Sequence, residues 1–526
     1  MSGLLMKRAW LGSAALVAVF GFAACSDDDG GEGNPTAGSS GKGNGGSAGS
    51  NHGGDGGTPA ASGSANGDKG GNAGSGGKAG NAGSGGKAGM SAGGTTGGSS
   101  VGGTDTGPGG EGGVGGSGGA AAGAGGEGGA VPDLRDQFIG MSPLPAVPAD
   151  PTNAFADNAA AATLGQRFFF DEQFSGAIVV TNDLGAKDDL HKVSCKSCHS
   201  GAALDDERSV PDDISQGTNL HTRNSPSLIN SSFYPWTNWG GRFAAQWELP
   251  PAVVENGAIM NSTRLAVAHR IFDAYKLEYQ TVFATTLDTG LGNDTARFPL
   301  TGKPTQAAFD NMAADDKLIV NRILANFGKA LAAYTRKLTS REAPFDTWMA
   351  GDDSAFNASQ LNGAKLFVKD GCINCHTGAH FSDGDFHDLG VPQTDVRLLT
   401  IDDGRFKDLP GLLNSTMNVN SQFSDKTDTG KLAGLSSPPP DSMKGQFRTA
   451  SLRGVAESAP YMHSGQFADL SAVIDFYAAA GSVDTGTGQL TAFTITPQEK
   501  ADLIAFLGTL TGKPVDNALL IDTAAN

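Results

Sequence analysis

Cys195-Lys196-Ser197-Cys198-His199 recurs 177 residues later as Cys372-Ile373-Asn374-Cys375-His376. Two thiols three residues apart, followed at once by histidine, form the Cys-x-x-Cys-His attachment pattern of c-type haem. The spacing has a chemical reason. Both thiols reach the two vinyl groups of one porphyrin from a single turn, and the next side chain comes beneath the iron as an axial ligand. Other uses of paired cysteines fit less well. A thioredoxin-type pair accompanies a βαβ pattern, and none is visible. Two zinc knuckles need no histidine directly after each, and a 177-residue gap is wide for a small zinc module. Local disulfides are feasible in an oxidising compartment. The repetition, with histidine both times, points to two covalently bound haem c groups. Their attachments are Cys195, Cys198 and His199, and Cys372, Cys375 and His376, with the two histidines as iron ligands.

The fifth cysteine has a different context. Lys7 and Arg8 precede an apolar run that ends in Ala23-Ala24-Cys25, followed by Ser26 and three aspartates. This resembles the export signal of bacterial lipoproteins, with residues 1–24 removed and Cys25 carrying lipid. The alternative is an ordinary signal peptide beside a free cysteine. The apolar run is short for a spanning helix. Residues 25–131 are dominated by Gly, Ser and Ala, and Asn72-Ala73-Gly74-Ser75-Gly76-Gly77-Lys78-Ala79-Gly80 repeats verbatim from Asn81. Such a segment buries too little apolar surface to offset its ordering entropy, so it reads as a disordered tether. Its root-mean-square reach is about 50–60 Å. The expected setting is the periplasm, with the protein held at a membrane by its lipid anchor.

The remaining residues exceed a comfortable single core, which predicts two domains, 132–345 and 346–526, one haem in each. Helices are predicted over 164–170, 318–338 and 354–367 from apolar spacings of three and four. Another starts at Thr496, where Pro497 and Glu499 complete a capping box. Alternating runs are scarce. The expected fold is mainly α, two cytochrome c-like haem domains with long loops, preceded by the disordered Gly/Ser/Ala-rich linker. The formal net charge of −18, from 37 basic and 55 acidic residues, argues against nucleic acid and suits a basic redox partner.

Short strings in order around the two motifs carry a resemblance: Arg223-Asn224-Ser225-Pro226-Ser227-Leu228, Trp239-Gly240-Gly241-Arg242, Pro344-Phe345-Asp346, Arg448 through Leu452-Arg453, and Ala459-Pro460-Tyr461-Met462-His463-Ser464-Gly465. Over most of 150–512 the chain resembles the bacterial di-haem cytochrome c peroxidases and their MauG-type relatives. The resemblance implies that hydrogen peroxide is cleaved at the His199 haem, while the His376 haem passes electrons on from a small redox protein such as a cytochrome c or cupredoxin. It places Trp239 as the bridge between the haems, where the alternative is a core aromatic. It implies one calcium ion, held by Asn224 and the backbone carbonyls of Ser458 and Pro460, and is compatible with a homodimer.

His221 stands in the loop where the family carries a removable distal histidine; it either ligates iron or is a surface residue. Tyr477 stands where family peroxidases carry an axial methionine and MauG a tyrosine. An oxygen ligand lowers the potential that a thioether raises. The alternative is a core tyrosine, with the iron open or bound by Met462. The pattern is broken on the peroxide side. The family's Glu-Met pair reads Ile259-Met260 here, downstream of the matching Gln246, and its Asp after the tryptophan reads Gly240. Glu255, or else Glu248, is then the candidate to move the peroxide proton. The rival readings are a MauG-like oxidase of an organic or protein substrate and a non-enzymatic electron-transfer or redox-sensing module.

Overall fold

The computed structural model describes residues 133–205, 207–211, 213–393, 401–427, 430–481 and 488–523. The expected export signal, Cys25 and the tether lie outside the described residues. Ten α-helices are described: α1 (Ala159–Phe170), α2 (Leu249–Glu255), α3 (Arg264–Phe283), α4 (Ala307–Asp310), α5 (Ala314–Thr335), α6 (Pro344–Met349), α7 (Ala358–Lys369), α8 (Arg405–Leu413), α9 (Leu470–Ala478) and α10 (Pro497–Gly508). Between them run long loops with single 3₁₀ turns. Two three-residue strands, β1 (Phe386–Asp388) and β2 (Gln446–Arg448), pair antiparallel with Phe386 opposite Arg448. The molecule is mainly helical, as its apolar periodicity predicts. No described helix is long and apolar enough to cross a membrane.

Local chemistry sets the helix starts. The side chain of Asn158 accepts the Ala161 N–H and opens α1 before four alanines. Thr496 and Glu499 exchange hydrogen bonds at the start of α10, with Pro497 in the first turn. Asn357 and Gln360 do the same for α7. Asp315 and Asp316 lie in the first turn of α5, where carboxylates suit the positive end of the helix dipole.

Two helix pairs organise the cores, and each closes at a glycine. A Cβ on Gly165 of α1 would lie 2.0 Å from the Ala330 carbonyl oxygen of α5. A Cβ on Gly363 of α7 would lie 2.0 Å from the Asp502 carbonyl oxygen of α10. Any side chain there would push the pair apart. Around α1 and α5, Phe168, Phe169, Phe174, Tyr275, Phe327 and Leu331 are buried together. Around α7 and α10, Phe138, Phe345, Trp348, Phe367, Phe381 and Phe506 form a second, aromatic core. Each such side chain contributes about 1.5–3 kcal/mol. The cores are not strictly sequential. Phe138 and Met141 precede α1 yet sit in the second core, while Met417, Phe423 and Val515 join the first.

Candidate functional site

Each Cys-x-x-Cys-His stretch makes one 3₁₀ turn, Cys195–Ser197 and Cys372–Asn374, beside its glycine-crossed helix pair. The N–H of His199 donates to the Cys195 carbonyl at 3.0 Å, and that of His376 to the Cys372 carbonyl at 3.0 Å. None of these four cysteines is in a disulfide. Nδ1 of His199 lies 3.3 Å from the Leu204 carbonyl oxygen, and Nδ1 of His376 lies 3.1 Å from that of Phe381. A carbonyl only accepts, so Nδ1 carries the hydrogen in both rings and Nε2 keeps the lone pair a metal needs. Burial holds the His199 imidazole down to about 4, and lowers that of His376 as well. Both rings are therefore neutral and fit to ligate iron.

The two cradles are built alike beyond the motif. Ser227 donates its hydroxyl to the Ala203 carbonyl and accepts the Ile229 N–H at 3.1 Å. Ser451 donates to the His380 carbonyl at 2.6 Å and accepts the Arg453 N–H at 3.1 Å. Ala203 and His380 each stand four residues after the ligand histidine.

A cavity opens beside each cradle. Cys195, Cys198 and His199 line the first together with His221, Gln246, Val253, Ile259 and Met260. Cys372, Cys375 and His376 line the second together with Met462, His463 and Tyr477. Two buried polar atoms in the wall of the second, Nε2 of His463 and Oγ1 of Thr449, have no hydrogen-bond partner in the protein. The His463 ring stacks on Phe447 at 3.8 Å. Such orphaned groups fit a polar, propionate-bearing cofactor better than an empty apolar hole. The thiol pairs, neutral imidazoles and orphaned atoms all fit haem c.

Trp239 lines both cavities. Its indole N–H donates to the Asn224 carbonyl at 2.7 Å, and its own carbonyl accepts the Arg448 N–H at 2.8 Å. Asn224 is buried, with its side-chain amide 2.9 Å from the Pro460 carbonyl oxygen; Asn224, Ser458 and Pro460 line a third cavity, which Trp239 also borders. Turning that amide over would bring Oδ1 to Pro460 and leave Nδ2 for Ser209, whose hydroxyl now donates to Oδ1 at 3.2 Å. Tyr477, on α9, lies by the second thiol pair. Burial raises its phenol above the ordinary value, and the Cys372 and Cys375 thiols add to this.

The candidate acids are elsewhere. Among the described residues, no carboxylate lines the first cavity. Glu255 is held by Arg264, which gives it three hydrogen bonds of 2.7–3.0 Å from its backbone and guanidinium. Glu248 is buried behind Gln246, where it accepts the Ala244 N–H at 2.9 Å. Ile259 does face the cavity, so the departure seen in the sequence falls on a wall position. Gln246 lines the cavity and is hydrogen-bonded by Ser231 and Ser232. Asp383 and His387 gather at Cys375 with ligand atoms within 4.8 Å of one another. A thioether at Cys375 would leave that trio without its thiolate.

Sequence reasoning assigned no role to Arg223, whose guanidinium lines the first cavity and grips Asp402 and Asp408. Neither partner is near it in the chain, so no local pattern announces the contact.

Residues 159–354 match the family described as di-haem cytochrome c peroxidase. The cytochrome-c peroxidase IdrP2 of Denitromonas iodatirespirans is 30% identical over 379 residues, covering 72% of this chain and 87% of the relative. The cytochrome c551 peroxidase of Pseudomonas aeruginosa is 28% identical over 352 residues, covering 66% and 78%. The methylamine utilization protein MauG of Methylophilus methylotrophus is 27% identical over 357 residues, covering 67% and 82%. With two matched cradles and relatives spanned over most of their length, the chain belongs to the di-haem cytochrome c peroxidase/MauG family, and membership implies haem c as its cofactor.

Proposed function

We propose that the protein reduces hydrogen peroxide at a haem on His199, with electrons passed from a haem on His376 across Trp239. One observation carries this reading: Trp239 forms a shared wall of both cavities, fixed by hydrogen bonds at its indole and its carbonyl. Bound haem supplies the redox-active iron at each cradle. The chain supplies His199 and His376, neutral imidazoles that would hold the iron, and the Trp239 indole in the wall of both cavities. Gln246 gives the first cavity an oriented amide, and the apolar Val253, Ile259 and Met260 exclude water from it. His221 is placed in the same cavity, where it is a candidate resting-state ligand. With no carboxylate there among the described residues, the chain is expected to break peroxide slowly unless its substrate brings the proton.

A small redox protein such as a cytochrome c or cupredoxin is the proposed donor. Asn224, Ser458 and Pro460 are proposed to hold one Ca2+ through oxygen, which is the ligand type calcium takes. A lipid on Cys25 would keep the enzyme at a membrane in the periplasm, and a homodimer is compatible with the family.

The place of Tyr477 favours a second reading, MauG-like oxidation of an organic or protein substrate, because an oxygen ligand would make the His376 haem a poor high-potential reservoir. Turnover of peroxide with reduced cytochrome c, after prereduction and calcium addition, tests the first reading. Turnover that disappears in Trp239→Phe supports it. Absent turnover with an oxygen-ligated second haem in electron paramagnetic resonance moves the assignment to the oxidase. Absence of both leaves a non-enzymatic electron-transfer module.

A further inference from the structure

A single carboxylate oxygen, Oδ2 of Asp408 on α8, meets two groups that adjoin Trp239 and its acceptor, Gly240 and Arg223. On one side Oδ2 accepts Nη1–H of Arg223 at 2.6 Å, while Asp402 takes Nε and Nη2 of the same guanidinium at 2.6 and 2.8 Å. Arg223 directly precedes Asn224, whose carbonyl holds the Trp239 indole and whose N–H donates to the His463 carbonyl at 2.7 Å. On the other side is Gly240, the residue after Trp239. A Cβ there would lie 2.2 Å from Oδ2 of Asp408 and 2.8 Å from the Gly404 carbonyl oxygen. The carboxylate occupies the space a side chain at 240 would need.

The arrangement is costly as a stability device. The Arg223, Asp402 and Asp408 side chains are only 13%, 3% and 5% exposed, and buried Arg405 also acts electrostatically on Asp408, so two anions and two cations are buried together. Burying charges rarely gains net stability over apolar packing, and its attested use is to fix one geometry. The geometry fixed here is that of the indole and its acceptor. We infer that Asp408 is a positioning residue for Trp239, standing in for the side chain absent at Gly240. It sets the indole between the two cavities by clamping Arg223 on one side and closing the gap at Gly240 on the other.

This rests on the proposed relay through Trp239, and the test separates the two. Asp408→Ala and Asp408→Asn are prepared as the full protein with both haems. Haem content and thermal unfolding identify the variants that fold. Two readouts are taken: the rate of electron transfer between the haems in half-reduced protein, and the ultraviolet resonance Raman band of the indole N–H, assigned by difference with Trp239→Phe. Asp408→Ala should shift the indole band and slow transfer by about tenfold to a hundredfold, the scale of an ångström-sized misplacement. Asp408→Asn keeps the shape but loses the charge that clamps Arg223, and should fall between; it is read alone if the alanine variant does not fold.

A wild-type indole band in every folded Asp408 variant overturns the inference. Wild-type protein with no transfer between its haems refutes the relay instead, and the indole band still decides the positioning role.

Discussion

Replacing Ile259 by Glu should turn a slow peroxide site into a faster one. The backbone at 259 is pinned from both ends: its N–H donates to the Asn256 carbonyl at 3.1 Å and its carbonyl accepts the Thr218 N–H at 3.0 Å. A new side chain therefore enters the first cavity from the present direction. There it meets Val253, Met260, Gln246 and His221. Arg223 is already paired with two aspartates, so it offers a new carboxylate little ion pairing. Desolvation would raise the carboxyl toward neutrality, which suits a group that must take and return a proton. Positioned acid–base catalysis gives about 10²–10⁴-fold, or about 3–5 kcal/mol of barrier. The stability cost is about 1–3 kcal/mol for a polar group in a half-apolar wall.

Stopped-flow mixing of peroxide with the half-reduced protein measures the rate constant at the first haem directly. Ile259→Glu should raise it by about 10²-fold, and Ile259→Gln, with similar shape and no proton to move, should leave it near wild type. Equal rate constants in the Glu and Gln variants, with both haems loaded, would refute the argument that a missing carboxylate limits the site.

Burial raises the Glu248 carboxyl to about 8, despite the hydrogen bond from Ala244. The folded protein then holds an extra proton from about pH 4.5 to pH 8, and stability falls as pH rises through that window. In urea unfolding, Glu248→Gln should remove this slope and stabilise the protein at pH 8 by at most about 5 kcal/mol, with peroxide turnover unchanged. Burial alone would raise Asp402, but Arg223 outweighs it and pulls the carboxyl down to about 2. Its stabilisation of about 2–3 kcal/mol is present above the ordinary aspartate value and is lost as pH falls toward 2, so Asp402→Asn should flatten acid unfolding. Tyr477→Met should raise the midpoint potential of the second haem, by a measurable part of the roughly 0.8 V that axial ligands span. An unchanged potential would mean that Tyr477 is a wall residue and not a ligand.

What could be read from the chain is what local chemistry decides. The attachment motifs are contiguous, and the Thr496-Pro497-Gln498-Glu499 start of α10 is complete within four residues; both are found in place. Helix ends without such a signal shift. The first helix begins at Ala159 rather than 164, because an alanine run has high propensity but no apolar periodicity to detect. The long helix spans 314–335 rather than 318–338, since aspartates, not apolar spacing, set its start. The expected helix from 354 begins at Ala358, and a separate 3₁₀ turn takes residues Asp353–Ala355. Long-range choices are harder. Glu255 is the nearest carboxylate by alignment, yet Arg264, nine residues on, already claims both its oxygens. Asp408 and Gly240 compete for one space from 168 positions apart, with no periodicity to link them.

The matched cradles allow a stronger argument than either would alone. Both histidines hold Nδ1–H on the carbonyl five residues on, both follow a turn hung from a glycine-crossed helix pair, and both are braced by a serine bonded to the carbonyl four residues on. The axial imidazole facing each iron would thus be set up nearly identically. Apart from the Asp383–His387 pair beside Cys375, differences in potential, spin state or peroxide reactivity between the two haems are then expected from the opposite walls. On one side these are Ile259, Met260, Gln246 and His221, and on the other Tyr477, Met462 and His463. Each haem is in this sense a control for the other. A variant in one wall that changes only its own haem supports the assignment. One that changes both must act through what they share, and the shared groups include Trp239 and Arg448.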